Sequence, residues 1–149
     1  MKQANRTRLS LVLLVLVLGA AVTLALLLRG GRVDKTGLWE DAKYLRDKSF
    51  GSGEITVEVE VKAGNQSITF TIKTDKTTLG EALLEHDLIE GEQTNYGLYV
   101  TKVNGIVADF EVDESYWALY RDGEMMMAGV DTTEIENGEH YELVHTNTN

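Results

Sequence analysis

Hydrophobic and polar positions alternate in two successive runs. Ile55, Val57, Val59 and Val61 share one face of the first, and Ile68, Phe70 and Ile72 share one face of the second. A period of two is that of a half-buried strand. The intervening Ala63-Gly64-Asn65-Gln66 carries turn chemistry, so the pair predicts an antiparallel hairpin. The period then lengthens. Thr78-Leu79-Gly80-Glu81 is a capping-box pattern, and behind it Leu79, Ala82, Leu83 and His86 fall on one helical stripe, flanked by Leu84 and Leu88, with Gly91 as the stop. This predicts one short helix laid across the sheet. Strands come next: 96–103 and 106–112 around Asn104-Gly105, 116–121 and 125–130 around Asp122-Gly123, and 140–145 after Asn137-Gly138. The first two dipeptides supply the positive φ of tight hairpin turns, and Asn137-Gly138 marks another turn. The order ββα and then strands is that of an α+β domain.

A different pattern precedes all this. The twenty residues from Leu9 to Leu28 carry no charge and, at about 1.5 Å rise per residue, are long enough for a hydrocarbon core of about 30 Å. Lys2, Arg6 and Arg8 lie ahead of the segment and Arg29 and Arg32 behind it, which favours a cytoplasmic N-terminus only slightly. The charge of the rest of the chain decides the orientation. Residues 1–35 hold six basic residues and one acidic, leaving eight basic against 23 acidic beyond them, a net charge of −15. An acidic domain without internal apolar spans suits export through a signal-anchor or a signal peptide cleaved near Thr23-Leu24-Ala25; the segment's length favours retention. The expected organisation is a basic tail (1–8), a transmembrane signal-anchor (9–28), a partly docked connector (29–53) and one domain (54–146). The expected place is the cell membrane, single-pass, with the domain on the extracytoplasmic side.

Composition and motif searches remove whole classes of function. A strongly acidic domain does not suit a nucleic-acid partner, because cationic side chains supply affinity for phosphate. With no cysteine and no proline, disulfides, thiolate chemistry and a proline-rich stalk are excluded. No serine sits in a nucleophile elbow and no phosphate-binding glycine motif is present, so no enzyme is expected. His140 and His145, five apart on one predicted strand, point to opposite faces and cannot share a metal; His86 on the helix stripe reads as a boundary core residue. Asp109, Glu111 and Asp113 alternate and could be a solvated face or hard oxygen ligands. As a calcium loop they fail, with Glu114 where a glycine belongs and Tyr120 where a glutamate belongs. No metal site and no established cofactor are therefore expected.

Two features stand out from the background. Leu38, Trp39, Tyr44 and Leu45 sit in an otherwise polar, glycine-containing connector, so Trp39 or Tyr44 is expected to pack on the domain. The second is Tyr116-Trp117-Ala118-Leu119-Tyr120, succeeded across a hairpin turn by Met125-Met126-Met127. Three consecutive methionines on a strand cannot all face inward, and soft, adaptable side chains on the other face suit an irregular apolar ligand. Core packing is the competing reading for each of these residues.

The segments Gly37–Ala42, Thr78–Leu84, Tyr96–Val100, Tyr116-Trp117, Asp122-Gly123 and Gly129-Val130-Asp131 together resemble a bacterial family of exported domains of unknown function. That family is similar to the C-terminal domain of transcobalamin and intrinsic factor, and the resemblance runs from Gly37 to Thr146. It implies a β-grasp-like fold with an antiparallel or mixed sheet, and binding of a soluble ligand, cobalamin or a related corrinoid. The implied ligand-binding residues are Trp117, Ala118, Leu119, Tyr120, Met125, Met126 and Met127. The large helical domain that completes the carriers' site has no counterpart in this chain. The expected partners are therefore a corrinoid, the membrane through the N-terminal helix, and a membrane transporter that receives the ligand. The alternative is a cell-surface protein–protein interaction module that uses the same patch, or a strand edge, without a small molecule.

Overall fold

The computed structural model describes residues 12–18 and 31–149. Residues 12–18 are helical; the remainder of the apolar segment 9–28 lies outside the described residues. Among the described residues no helix is long and apolar enough to cross a membrane. Gly31–Asn149 forms a unit of its own, a mixed α+β structure dominated by sheet.

After a single 3-10 turn (Gly37–Trp39) comes β1 (Lys48–Gly51), which pairs in parallel with β3 (Gln66–Thr74); β3 forms the expected antiparallel hairpin with β2 (Ile55–Ala63). Val57, Val59, Val61, Ile68, Phe70 and Ile72 are at most 1% exposed, so the alternating face is the core face. Helix α1 (Leu79–Leu84) starts on a complete capping box: Thr78 accepts the Glu81 amide and the Glu81 carboxylate accepts the Thr78 amide. Its Leu79, Ala82 and Leu83 belong to the same core cluster as the hairpin. The helix is shorter than its apolar stripe suggests. Asp87 takes a left-handed φ of 54° and the chain enters β4 (Ile89–Thr94) at once, so Gly91 lies within a strand and does not stop a helix. Strand β4 has no signature in the sequence, because every residue after Ile89 is exposed and no alternation marks it. It pairs with β5 (Gly97–Val103), which pairs with the two-residue β6 (Ile106–Val107), to make a three-stranded sheet.

Two expected strands are cut short. The run 106–112 leaves the sheet after Val107, because Asp109 accepts the amides of Glu111 and Val112 and so caps a single helical turn, α2 (Phe110–Asp113). Asp109, Glu111 and Asp113 therefore do not line a strand face. The run 125–130 keeps only β8 (Glu124–Met125), joined to β7 (Ser115–Arg121) through the Asp122-Gly123 turn at φ 50° and 81°. The last strand, β9 (His140–Asn147), lies between β2 and β7, parallel to the first and antiparallel to the second. The larger sheet runs β1-β3-β2-β9-β7-β8. Its central pairs Val59↔Tyr141 and Val61↔Leu143 are fully buried, each such side chain contributing about 1.5–3 kcal/mol of hydrophobic stabilisation.

The segment ahead of β2 is docked by specific contacts. Trp39 is 1% exposed and its indole N–H donates to the Ala63 carbonyl at 2.9 Å. Tyr44, Phe50 and Phe70 pack edge to face with ring centroids 5.4–5.8 Å apart. Asn104, fully buried in the turn between β5 and β6, bonds both the amide and the carbonyl of Tyr44.

Candidate functional site

The predicted aromatic and methionine residues come from β7, β8 and the stretch that leaves β8. Strand β7 holds the first group because its core-facing positions pair with β9 as Trp117↔His145 and Leu119↔Leu143. The methionines are drawn alongside when the chain turns back at Asp122-Gly123 and the Met126 amide donates to the Leu119 carbonyl at 2.8 Å. Facing them is β5, through Leu98 and Val100. Between the two lies a cleft of about 230 Å³, lined also by residues 125–130.

Six of the seven predicted residues line this cleft: Trp117, Ala118, Leu119, Met125, Met126 and Met127. They are not equivalent. Trp117, Ala118 and Leu119 are 8%, 5% and 7% exposed, and Trp117 is pinned by an indole N–H bond to the Ile106 carbonyl at 3.2 Å and an edge-to-face contact with His145. These form the rigid floor. Met126 packs partly on the core, Met125 is half exposed, and Met127 is 97% exposed, so the methionines provide the adaptable rim. Tyr120 does not line the cleft; it pairs with Glu142 on β9 and with Met125 on β8.

The wall formed by β5 is fixed by a residue in the Gly129-Val130-Asp131 motif. Asp131 Oδ2 accepts the Leu98 amide at 3.0 Å, while its Oδ1 is buried without a partner. Two wider depressions are more polar. One of about 790 Å³ is ringed by Arg121, Asp122, Glu136 and Glu139. The other, about 590 Å³, lies beside Glu92, Tyr99, Val107 and Phe110.

A second constellation lies on the outer face of the larger sheet. Glu60 and His140 sit beside Glu142, and one ligand atom from each lies within 4.8 Å of the others. Lys62 Nζ is 2.9 Å from Glu142 and 3.8 Å from Glu60. Its pKa is raised above the ordinary lysine value, chiefly by the hydrogen bond to Glu142 and against the opposing effect of burial. His140 Nδ1 lies 3.4 Å from Glu58, and its Nε2 3.7 Å from Glu60. Sequence reasoning misses this group because its members stand on β2 and β9, about eighty residues apart, and meet only through a parallel pairing that no local pattern announces. His140 and His145 do diverge, His145 turning to Trp117.

The family described as a domain of unknown function, DUF4430, matches residues 76–142, from just before α1 into β9. A protein from Ruminococcus gnavus, named as a candidate metal-binding protein, is 31% identical over 64% of this chain and all of its own length, with a TM-score of 0.61. Haptocorrin, solved in complex with Cbi, superposes over 66% of this chain and 26% of its own, with a TM-score of 0.55 at 22% identity, a likeness of fold. No curated protein matches. The family profile covers the helix, β4 to β8 and the start of β9, and the Ruminococcus gnavus structure aligns over its whole length: the chain belongs to the DUF4430 family.

Proposed function

We propose that the chain is a membrane-tethered, extracytoplasmic ligand-binding module, with the cleft between β5 and β7 as its site and a corrinoid as its ligand. It acts by binding and not as an enzyme. The observation that carries this reading is convergence: six residues singled out from two separate segments meet on one apolar cleft with a rigid floor and an adaptable rim. A β-grasp description fits the hairpin, crossing helix and central parallel β2–β9 pair, and the haptocorrin likeness favours a corrinoid over other apolar ligands. The uncharged stretch 9–28 is the proposed anchor, and the net charge of −15 beyond residue 35 suits a domain outside the membrane.

Size limits what the cleft does. At about 230 Å³ it falls below the roughly 300–1,000 Å³ of sites that enclose a drug-sized ligand, so it grips an edge of a corrinoid and leaves the rest for a partner. A module of this kind hands its ligand to a membrane transporter. Calorimetric titration of the full chain in detergent with cobalamin and with a corrinoid precursor tests the reading. Saturable heat, weakened about tenfold or more (about 1.4 kcal/mol) when Met125 and Met127 are both changed to alanine, supports it. No heat at concentrations that reveal micromolar binding sinks it and leaves the same patch as a protein-docking surface.

A further inference from the structure

We propose that the outer face of the six-stranded sheet carries a divalent transition-metal site whose protein ligands are Glu60, His140 and Glu142. The register creates the need for a cation: Glu60 stands directly opposite Glu142, and Glu58 directly opposite His140. Like charges in opposed positions of neighbouring strands destabilise a sheet. Glu60 and Glu142 share one ammonium, Lys62, which reaches between them at the end of a flexible stem and is about a third exposed. It marks where positive charge is favoured and can swing aside for a dication.

The imidazole stands between two carboxylates, with Nδ1 3.4 Å from Glu58 and Nε2 3.7 Å from Glu60. A metal held at Nε2 would leave the Nδ1 proton facing Glu58. This carboxylate–histidine arrangement fixes the tautomer and raises the basicity of a metal-binding histidine, with Glu58 as the positioning residue. One nitrogen and two carboxylate donors suit Zn²⁺ and its first-row neighbours better than the all-oxygen sets taken by calcium and magnesium. Three protein ligands leave a fourth position for water or another donor. The side chains of Glu60 and Glu142 are 22% and 19% exposed, so the strands hold them while leaving the ion a route from solvent. None of the three ligands lines the cleft, and the site stands or falls independently of the corrinoid reading.

The test is titration of the metal-stripped full chain with Co²⁺, monitored by visible absorption, and with Zn²⁺ in competition. One saturable site is expected. His140→Ala and Glu142→Gln should each weaken it at least about tenfold, and Glu58→Gln by about tenfold. Lys62→Met, by removing the competing ammonium, should tighten it about threefold or more, and Met127→Ala should leave it unchanged. Glu142→Gln and Lys62→Met preserve side-chain volume and keep the test decisive if His140→Ala does not fold. Absence of saturable uptake below millimolar metal, or uptake that none of the cluster variants alters, would overturn the proposal.

Discussion

Asp131 holds the Leu98 amide at 3.0 Å, and it can do so because position 97 lacks a side chain. A Cβ on Gly97 would stand 2.8 Å from both carboxylate oxygens, on a backbone with φ of 105°. The bond ties the β5 wall of the cleft to the loop that carries its methionine rim. Gly97→Ala should destabilise the protein by about 2–3 kcal/mol, combining backbone strain with a displaced carboxylate. Gly123→Ala, at φ 81° with nothing within 4 Å, should cost about 1 kcal/mol. Urea midpoints of the two variants separate carboxylate displacement from turn strain; equal losses would remove the Asp131 contact from the account.

Trp39 makes the segment before β2 part of the fold. Its ring is 1% exposed and its N–H satisfies the Ala63 carbonyl. Trp39→Ala should cost about 3–5 kcal/mol. Trp39→Phe keeps much of the volume but removes that hydrogen bond, and should cost about 0.5–1.5 kcal/mol. Chemical denaturation monitored by circular dichroism checks both.

The capping box of α1 gives an acid-side prediction. The Thr78 amide, with help from the Thr77 hydroxyl and amide, holds the Glu81 carboxyl below its ordinary value. A carboxyl depressed in the folded state stabilises fully above its unfolded pKa, and that contribution is lost as pH falls through the folded pKa. Thr78→Ala should cost about 1 kcal/mol at neutral pH. The stability gap between the parent and Glu81→Gln should narrow as the pH falls below the ordinary glutamate range. A gap that stays constant across that range would contradict the assignment.

Tyr141 gives the alkaline counterpart. Burial, then its hydrogen bond to Glu139, raises its phenol well above the ordinary value of 10.0. A proton retained in the folded state and released in the unfolded one gives stability that is complete below the unfolded pKa and declines as pH rises past it. Unfolding midpoints should therefore fall above about pH 10, and Tyr141→Phe should flatten that decline. An unchanged slope in the variant would exclude Tyr141 as its source.

How legible each element is in the sequence depends on how local its signal is. The β2–β3 hairpin, the Thr78 cap and the Asn104-Gly105 and Asp122-Gly123 turns depend on neighbours within a few residues, and each is present. Strand β4 is illegible because an exposed strand has no buried face to impose alternation. Asp109 reads as a strand residue because the same carboxylate can cap a helix, and only the structure shows that it accepts two amides. The cleft is half legible: its floor and rim are visible as unusual composition, whereas the Leu98 and Val100 wall is ordinary strand sequence brought in by tertiary packing. The Glu60–His140–Glu142 group is invisible, since it exists only through the β2–β9 register.

The central claim is that the cleft between β5 and β7 receives a corrinoid. Its most direct test is nuclear magnetic resonance of the full chain labelled at its methionine methyls, recorded during titration with cobalamin and a corrinoid precursor. The chain has four methionines, Met1 and Met125–Met127, so one lies far from the cleft in sequence and three line it. The account predicts saturable shifts of the Met125, Met126 and Met127 signals with Met1 unmoved. Shifts of all four together, or of none at ligand concentrations well above micromolar, would contradict it.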